Sequence, residues 1–464
     1  MLQVIKRDGT KVPFDKAKIA KAIEKAEHSS TGLFEEGLAD RIAGEIEDYA
    51  KAINKDLTIY AIEDQVYYKL LENKNPATAR AYENYKAVQA FKRQQNTTDD
   101  DIIGLLDRSN VAVLDENSNK DAAIVSTQRD LIAGEVSKDI ARRKIIPTDI
   151  LEAHDSGAIH FHDMDYIIQP MFNCCLINLE DMLNNGTVIN GKKIDTPKSF
   201  QVACTVTTQI IAQVASGQYG GQSINGIDRI LAPFVRKSYD KLLAQVIEEQ
   251  VEVYGMEPNM EKAKEIAWKR TRKEVKDGIQ TIQYQINTLM TTNGQAPFVT
   301  LFMHFDPKSE YAKEAALIDE EILKQRIQGV KNDANVYITP AFPKLIYVLD
   351  EHNIHPDAPY YYLTELAAKC TAKRMYPDYI SAKKMREIYD GNVFSPMGCR
   401  SFLAPWKDKN GNFKFDGRFN MGVVSLNLPQ IGILANGSEE KFFEILAKRL
   451  DLAKRALLLR YNLL

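Results

Sequence analysis

Hydrophobic residues recur at helical spacing through the first 93 residues of the chain. Asp15 can cap a helix whose apolar positions follow an i, i+3, i+4, i+7 pattern. Later stretches repeat the pattern, one after a capping Thr58 and one opened by Asn75-Pro76. The apolar positions of the first three predicted helices are Ile19, Ala22, Ile23 and Ala26; Leu38, Ile42 and Ile46; and Ile59, Ile62, Val66 and Leu70. A hairpin with an Asp8-Gly9 turn is predicted before these helices.

A polar and acidic run from Gln94 to Asp101 follows this unit. Such a run is typical of a connection between domains. We therefore interpret residues 94–118 as a linker that joins a small domain, residues 1–93, to a larger one, residues 119–464.

Buried strands and long helices alternate in the larger domain. The apolar segments 298–302 and 344–349 are typical of buried strands. Helical patterns cover residues 119–155, 224–253 and 259–290. This alternation predicts an α/β architecture, of which a barrel is one form.

The composition excludes several classes of protein. The 464 residues are 44% hydrophobic and 27% charged, and the net charge of −3 indicates no general attraction to nucleic acid or to a membrane. No apolar run approaches the roughly 18–20 residues that span a bilayer, and the N-terminus lacks the pattern of a signal peptide. Five cysteines without a CxxC pair predict neither a disulfide framework nor a metal site, so we expect a cytoplasmic protein.

Basic residues are concentrated at the N-terminus. The first 26 residues include seven Lys or Arg but three acidic residues. Composition alone favours a solvated basic face. The order of the residues, however, resembles the ATP-cone family: Val4-x-Lys6-Arg7-Asp8-Gly9, Phe14 and Lys18-Ile19, then Thr58-x4-Glu63 and Ala79-Arg80-Ala81-Tyr82-x2-Tyr85-Lys86.

The resemblance implies a helical cone that binds ATP or dATP and regulates an attached enzyme. Basic side chains beside a glycine turn and a helix start suit a triphosphate. The nucleotide-site residues that the resemblance implies are Lys6, Arg7, Asp8, Gly9, Lys18, Thr58 and Lys86. Many cones have a glutamate just after the turn, where this chain has Val12.

A small, glycine-containing segment, Ser395–Phe402, can hold the Cys399 thiol close to a ligand. A lone cysteine is more often a small buried hydrophobe. Ordered blocks elsewhere change this interpretation: His160-Phe161-His162-Asp163, Met171–Leu176, Gln218-Tyr219-Gly220-Gly221, Asn293–Phe298, Lys373–Pro377 and Asn420–Pro429. From about residue 119 onward, this series resembles the anaerobic (class III) ribonucleoside-triphosphate reductases.

The resemblance implies a ten-stranded glycyl-radical-type α/β barrel, incomplete in this chain, that follows the cone. It also implies that Cys399 becomes the thiyl radical that attacks the ribose, and that Cys174 returns hydrogen from the opposite face. Adjacent side chains on a strand point to opposite faces, so Cys175 is interpreted as a packing residue. By the same periodicity His160 and His162 share a face. Either could line a pocket, but we favour the interpretation that both are core or interface histidines whose hydrogen bonds are made within the protein.

Asn420 corresponds to the family's asparagine near the ribose hydroxyls, and an amide cannot serve as an acid–base group. Formate is therefore expected as the reductant, and Met397 matches the formate-dependent subgroup. The resemblance also places a specificity site for deoxynucleotide effectors at a subunit interface, with Lys198, Gln209 and Lys241 as contacts.

The family's glycyl-radical motif and four-cysteine zinc site are not found in these residues. We expect both in a C-terminal part outside this sequence, without which the chain is inactive. Expected partners are ribonucleoside triphosphates, a radical-SAM activating enzyme with an iron–sulfur cluster, and further copies of the chain in a homodimer or a larger dATP-dependent oligomer.

Two alternatives stay open at this point. One is a radical acyltransferase like pyruvate formate-lyase, which also uses vicinal cysteines, although that family has no cone and the Cys174-Cys175 pair is far from Cys399 in this sequence. The other is a non-catalytic regulator that joins a cone to a binding domain, although such repressors are shorter and begin with a zinc ribbon.

Overall fold

The computed structural model describes residues 3–5, 11–29, 35–53, 55–109, 120–253, 255, 257–292 and 294–464. The chain divides into two compact units, Met1–Ile103 and Gly104–Leu464. The predicted turn at residues 6–10 lies outside the described residues.

The first unit is a small sheet packed against helices. Its strands are β1 (Gln3–Ile5), β2 (Lys11–Pro13) and β3 (Leu57–Thr58), and its helices are α1 (Lys16–Ser29), α2 (Leu38–Ile53), α3 (Ile59–Glu72) and α4 (Pro76–Leu106). β1 pairs antiparallel with β2 and parallel with β3, which confirms the predicted hairpin strands. The Thr58 hydroxyl accepts a hydrogen bond from the Ala61 amide at 3.2 Å, as predicted for a helix cap.

The apolar positions predicted for the first three helices form one buried core, in which Ile23, Leu38, Ile42, Ile46 and Val66 are inaccessible to solvent. Burying such side chains stabilises each by roughly 1.5–3 kcal/mol relative to exposure. α4 differs from the prediction, because residues 94–106, interpreted as the first half of a linker, continue the helix. Polar residues occur in helices as well as in linkers, so the polarity of this run does not predict where the helix ends.

The second unit mixes strands and helices. Its helices are α5 (Val125–Ile140), α6 (Thr148–Asp155), α7 (Leu179–Asn184), α8 (Phe200–Ala215), α9 (Ile227–Glu248), α10 (Met260–Thr288), α11 (Ala312–Gln328), α12 (Tyr361–Arg374), α13 (Ala382–Ile388), α14 (Leu428–Ala435) and α15 (Glu439–Leu463), with π-helical turns at Ala141–Ile145 and Glu249–Val253 and a 3-10 turn at Met164–Tyr166. Its strands are β4 (Ile159–Phe161), β5 (Cys174–Ile177), β6 (Thr187–Ile189), β7 (Lys192–Ile194), β8 (Gln222–Asn225), β9 (Val299–Met303), β10 (Val330–Lys331), β11 (Tyr337–Ile338), β12 (Lys344–Leu349), β13 (Asp378–Ser381), β14 (Trp406–Lys407), β15 (Phe413–Lys414), β16 (Arg418–Asn420) and β17 (Val424–Leu426).

A six-stranded sheet in the order β13-β12-β9-β8-β5-β16 organises this unit. Neighbouring strands from β13 to β5 are parallel, whereas β16 pairs antiparallel with β5. The α/β architecture is confirmed. The sheet is open in the described residues, and the ten-stranded barrel stays a prediction.

The two faces of the sheet have different neighbours. One face packs with α8 to α12 in a large core that includes Val299, Leu301 and Tyr347. On the other face, Cys174 and Leu176 of β5 pack against Met397. This second face is where the candidate active site lies. No helix in the described part of the chain is long and apolar enough to cross a membrane.

Candidate active site

β5 holds the two adjacent cysteines on opposite sides of the sheet. Cys174 is 3% exposed and packs with Leu176 and Met397 on the face of the sheet opposite the helical core. Cys175 packs against the helical core, where burial raises its pKa to about 12. The period of two along a strand explains this division, and the interpretation of Cys175 as a packing residue agrees with it.

The segment from Asn392 to Leu403, here called the cysteine loop, brings the exposed Cys399 close to Cys174, so that the two thiols shift each other's pKa. A tight turn presents the thiol, because the Met397 amide donates to the Ser401 carbonyl and the Arg400 amide donates to the Met397 carbonyl, both at 2.8 Å. Arg400 has a positive φ of 69° and donates from Nε to the Asp378 carboxylate at 2.7 Å. Two residues far apart in the sequence thus form one thiol pair.

Glycines make this approach possible. A Cβ on Gly220 would lie 2.3 Å from Asn173 Oδ1 and 2.7 Å from Cys174 Sγ, which no real side chain tolerates. A Cβ on Gly398 would lie 3.0 Å from the Cα of Gly221. Close backbone approach therefore requires glycine at these positions, which gives the Gln218-Tyr219-Gly220-Gly221 block a physical reason.

The thiol pair is electrostatically asymmetric. The hydrogen bond from Cys174 lowers the pKa of Cys399 to about 5, against the effect of burial, and the amides of Ser401 and Cys399 and the Lys344 ammonium act in the same direction. The same bond, together with burial, raises the pKa of Cys174, although the Gly221 amide donates to its sulfur at 3.3 Å. The two shifts have opposite directions, so Cys399 is the more acidic thiol of the pair.

Asn420 and Met397 both lie beside this pair. Asn420 is directly opposite Cys174 in the β16–β5 register, and its carbonyl accepts from the Asn173 amide at 2.9 Å. Its side-chain oxygen accepts from the Gly422 amide at 2.9 Å, which orients the amide group. Met397 is fully buried against Cys174. The structure thus brings together all four residues of the predicted catalytic set.

Lys344 was not selected from the sequence. It is the first residue of β12, and its ammonium lies 4.5 Å from the centre of the Phe298 ring. Burial and the Arg400 charge lower its pKa. Lys344 and Phe298 line a cavity of about 520 Å³ together with Lys373, Arg374 and Tyr376. A lysine at the start of an otherwise apolar predicted strand is the signal that could have identified it.

The histidines of the His160-Phe161-His162 block lie on β4, which pairs with β17. The His162 ring hydrogen-bonds Ser425 Oγ at 2.8 Å, and the His160 ring lies between those of His154 and His162, with centroids 5.0 and 4.2 Å away. Burial lowers the pKa of His162. Its bond to Ser425 agrees with the interpretation of a satisfied histidine.

The predicted specificity residues are all exposed. Lys198 precedes α8, Gln209 lies on α8 and Lys241 lies on α9. Their assignment stays a prediction. In the described residues, no group of three or more His, Cys, Asp or Glu side chains is arranged to hold a metal ion.

The first unit contains a cavity of about 250 Å³ between the hairpin, α1 and α3. Lys18 and Glu63 line it, and so does Val12. The Lys86 ammonium forms ion pairs with three carboxylates, at 3.7 Å from Glu63, 3.7 Å from Asp64 and 3.5 Å from Glu83. Thr58 caps α3 nearby, whereas Lys6, Arg7, Asp8 and Gly9 lie outside the described residues.

Comparisons with known proteins identify relatives of this chain. The chain is 40% identical over 460 residues to an anaerobic ribonucleoside-triphosphate reductase of Salmonella typhimurium, covering 98% of this chain and 62% of the relative. An enzyme of the same name from Enterobacteria phage T4 is 43% identical over 373 residues, covering 79% of this chain and 59% of the relative. The chain thus spans less than two thirds of the length of these relatives.

Solved structures show the same fold at low identity. An anaerobic ribonucleotide reductase from Thermotoga maritima, with glycerol in the active site, matches with a TM-score of 0.53 and 14% identity, covering 81% of this chain and 62% of that one. A structure of the Thermotoga enzyme in complex with dATP and CTP matches with a TM-score of 0.52 and 15% identity, covering 80% and 62%.

The family profiles divide the chain in two. The profile described as anaerobic ribonucleoside-triphosphate reductase matches residues 116–464, and the profile described as ATP cone domain matches residues 2–90. The chain therefore belongs to the anaerobic ribonucleoside-triphosphate reductase family and contains an ATP cone domain.

Proposed function

We propose that the protein to which this chain belongs reduces ribonucleoside triphosphates to 2′-deoxyribonucleoside triphosphates under anaerobic conditions, with Cys399 as the hydrogen-abstracting thiyl. The observation that supports this proposal is the contact between Cys174 and Cys399, with Asn420 and Met397 beside it. A single thiol could be a packing residue, but two thiols with an oriented amide between strands suit a radical reduction.

Each residue has one role in the proposed cycle. Cys399, as a thiyl, takes the hydrogen atom from C3′, since S–H and activated C–H bonds have similar strength. The radical at C3′ eases loss of the 2′-hydroxyl as water, which leaves a radical at C2′ and a ketone at C3′. Cys174 gives a hydrogen atom to C2′, and formate would return a hydrogen atom to the Cys174 sulfur. The resulting carbon dioxide radical anion would then give its electron to the ketone, which takes up a proton to form the C3′ radical again, and leave as carbon dioxide. Cys399 then returns the hydrogen atom to C3′.

The ribose must enter between the two thiols, because they act on opposite faces of the ring. In the structure the two thiols lie close enough for each to shift the pKa of the other. Substrate binding therefore has to break the Cys174–Cys399 hydrogen bond. Lys344 and Lys373, on the wall of the adjacent 520 Å³ cavity, provide positive charge close to where a nucleotide enters.

Formate is the proposed reductant. The overall balance is nucleotide plus formate plus a proton giving deoxynucleotide, carbon dioxide and water. Asn420 cannot exchange a proton, and its side-chain oxygen is already bonded to the Gly422 amide. Formate would meet this need, because it is an external carboxylate that can donate electrons and can also exchange a proton.

The radical and the zinc belong to residues outside this sequence in our proposal. A glycyl radical, generated by a radical-SAM activating enzyme with an iron–sulfur cluster, would supply the oxidising equivalent to Cys399. Zinc has no fitting site among the described residues, since Cys204 and Cys370 are each buried in the helical core. Five free thiols suit a reducing cytoplasm.

Regulation is proposed at two sites. ATP or dATP would bind the cone in the cavity lined by Lys18 and Glu63, where the glutamate replaces the carboxylate missing at Val12. Deoxynucleotide effectors would bind at a homodimer interface through Lys198, Gln209 and Lys241, and dATP would favour larger oligomers. The domains proposed for these roles are residues 1–93, a linker at 94–118, and the reductase region 119–464.

The test uses the full-length protein, activated anaerobically by its radical-SAM partner, with CTP, ATP and ¹³C-formate. We expect deoxycytidine triphosphate and ¹³C-labelled carbon dioxide in a one-to-one ratio. Cys399→Ala and Cys174→Ala should abolish both products. Cys175→Ala is the matched control, since this adjacent thiol faces the core, and it should retain turnover.

Deoxynucleotide formation by the Cys399→Ala protein would refute the radical role. If a dithiol sustained product formation without labelled carbon dioxide, formate would not be the reductant, but the radical role of Cys399 would stand.

A further inference from the structure

The cysteine loop lies along strand β8. Ser395, near its start, is buried at the carboxyl end of β8, where its amide donates to Asn225 Oδ1 at 3.0 Å. Gly398, three residues later, meets Gly221 immediately before the amino end of β8. Because the loop is hydrogen-bonded at one end of β8 and packs closely against the residue before its other end, β8 limits how far Cys399 reaches towards Cys174.

Asn225 has a second interaction on the same side chain. Burial raises the pKa of Asp416, while the Arg229 charge and the Asn225 side chain lower it. Asp416 immediately precedes Gly417, whose amide donates to the Leu176 carbonyl of β5 at 2.8 Å. Asp416 therefore lies at the entry to β16, the strand that ends at Asn420.

The Asn225 amide is suited to this place because it has both an acceptor and a donor. Its oxygen accepts a hydrogen bond from the Ser395 amide of the cysteine loop, and the Asp416 carboxyl group lies close enough for the Asn225 side chain to lower its pKa. The Asn225 backbone is part of β8 and pairs with Phe302 of β9. One side chain on a strand thus binds the loop of Cys399 and lies beside the segment that leads to Asn420.

We propose that Asn225 is a positioning residue of the reductase, which holds the cysteine loop and the entry to β16 in register so that Cys399 meets Cys174. This inference rests on the proposed function for its catalytic meaning. Asn225 acts through Ser395 and Asp416, and neither the ribose nor the reacting sulfur atoms are assigned to it. The Arg400–Asp378 ion pair anchors the other side of Cys399, so losing Asn225 should displace the loop rather than unfold it.

The first test measures the position of the thiol without turnover. The rate at which iodoacetamide alkylates Cys399 is followed by peptide mass spectrometry against pH, in the full-length, unactivated protein. The wild-type rate should follow a pKa of about 5, because the Cys174 bond stabilises the thiolate. In Asn225→Ala we expect this inflection to rise by at least one pH unit as the bond is lost, and kcat to fall at least tenfold while KM changes less than threefold.

Asn353→Ala is the matched control. The buried Asn353 amide makes a similar bridge beyond the carboxyl end of β12, accepting from the Asp350 amide and donating to the Val348 carbonyl, both at 2.9 Å. Among the described residues, its side chain bonds only to its own strand and turn. It should lower the melting temperature about as much as Asn225→Ala but leave the Cys399 inflection in place.

A reciprocal exchange tests the bridge itself. Asn225→Asp alone places two carboxylates together and should impair kcat as Asn225→Ala does. Adding Asp416→Asn restores one donor and one acceptor with their positions exchanged, and should recover at least half of the wild-type kcat and the low inflection.

An unchanged inflection in Asn225→Ala, or one that moves equally in Asn353→Ala, would overturn the positioning role. Failure of the double variant to recover would overturn the bridge to Asp416. Absence of deoxynucleotide synthesis by the wild type would instead count against the proposed function, because the alkylation profile does not depend on turnover.

Discussion

Asn420 lies directly opposite Cys174 across the antiparallel pairing of β16 with β5, the one antiparallel step in the described six-stranded sheet. Directly opposed residues on paired strands have Cβ atoms roughly 4.5–5.5 Å apart. Residues from distant parts of the sequence therefore become neighbours through strand pairing alone. The cysteine loop then adds Cys399 and Met397 to the same face.

Gly220→Ala should disrupt the site because the new methyl would overlap Asn173 Oδ1 and Cys174 Sγ. We expect a loss of about 1–3 kcal/mol in unfolding free energy, typical of overpacking, together with loss of turnover. Urea unfolding followed by circular dichroism measures the first effect.

Gly432→Ala is the control for Gly220→Ala. Gly432 lies inside α14 and a Cβ there would meet nothing within 4 Å. This variant should gain about 0.5–1 kcal/mol from the lower chain entropy of alanine. Equal behaviour of the two variants would contradict the crowding at Gly220.

Substrate binding should raise the pKa of Cys399. The low value near 5 depends first on the hydrogen bond from Cys174, which an inserted ribose breaks. The thiol form needed for hydrogen-atom transfer then becomes the major form at neutral pH. The measurement is the alkylation inflection of Cys399 with and without saturating CTP; fitting the inflection separates the pKa effect from simple shielding of the thiol.

Cys174→Ala provides the comparison for this prediction. Without the donor, the Cys399 inflection should already be high in the free protein, and CTP should move it little. A low inflection that persists in this variant would show that the backbone amides and Lys344 alone stabilise the thiolate.

Much of the secondary structure followed from periodicity. The strand at Lys344–Leu349 and the helices of the first unit match the predicted segments, because each buries one regular apolar face. The opposed orientations of Cys174 and Cys175 also followed from the period of a strand. These features depend only on local spacing.

Features that depend on tertiary contacts could not be predicted from local spacing in the sequence. Lys344 and Asn225 gain their significance from β-strand order, which brings Phe298 and Ser395 to them. The helical continuation through residues 94–106 was missed because polar residues are compatible with both a linker and a solvated helix. Direct contact of Cys399 with Cys174 required the glycine-to-glycine approach, which no local pattern reveals.

Asp350 should be an important stabilising group of the second unit. Burial alone would raise its pKa, but hydrogen bonds from His304 at 3.1 Å and from Arg386 at 2.8 Å hold that pKa well below its ordinary value. Asp350→Asn should therefore cost about 1–3 kcal/mol of unfolding free energy at neutral pH, as expected for lost charged hydrogen bonds. Chemical unfolding from pH 7 down to pH 3 measures this cost.

The sign of the pH dependence follows from the lowered pKa of Asp350. Its contribution is fully present above the unfolded-state pKa of about 4 and is lost as the pH falls below that value. Wild type and Asp350→Asn should therefore converge in stability only below about pH 4. The exposed Asp149–Arg455 pair is the control, and Asp149→Asn should cause little change at any of these pH values.

The cone cavity gives the last prediction. Lys18 lines it and its side chain is 82% exposed. Its one ion pair among the described residues is the 3.8 Å contact with Asp15, so we expect its ammonium to be available to a phosphate. Lys18→Ala should weaken ATP binding to the full-length protein about three- to tenfold, the size of one charged phosphate contact. Combination with Lys6→Ala should weaken it further. Isothermal titration calorimetry with ATP and dATP measures both.

Lys21→Ala is the control, because Lys21 is on the same helix but does not line the cavity. It removes the same single positive charge as Lys18→Ala and should bind ATP as the wild type does. Equal weakening by Lys18→Ala and Lys21→Ala would mean that the general basic charge of α1, and not a built site, attracts the nucleotide.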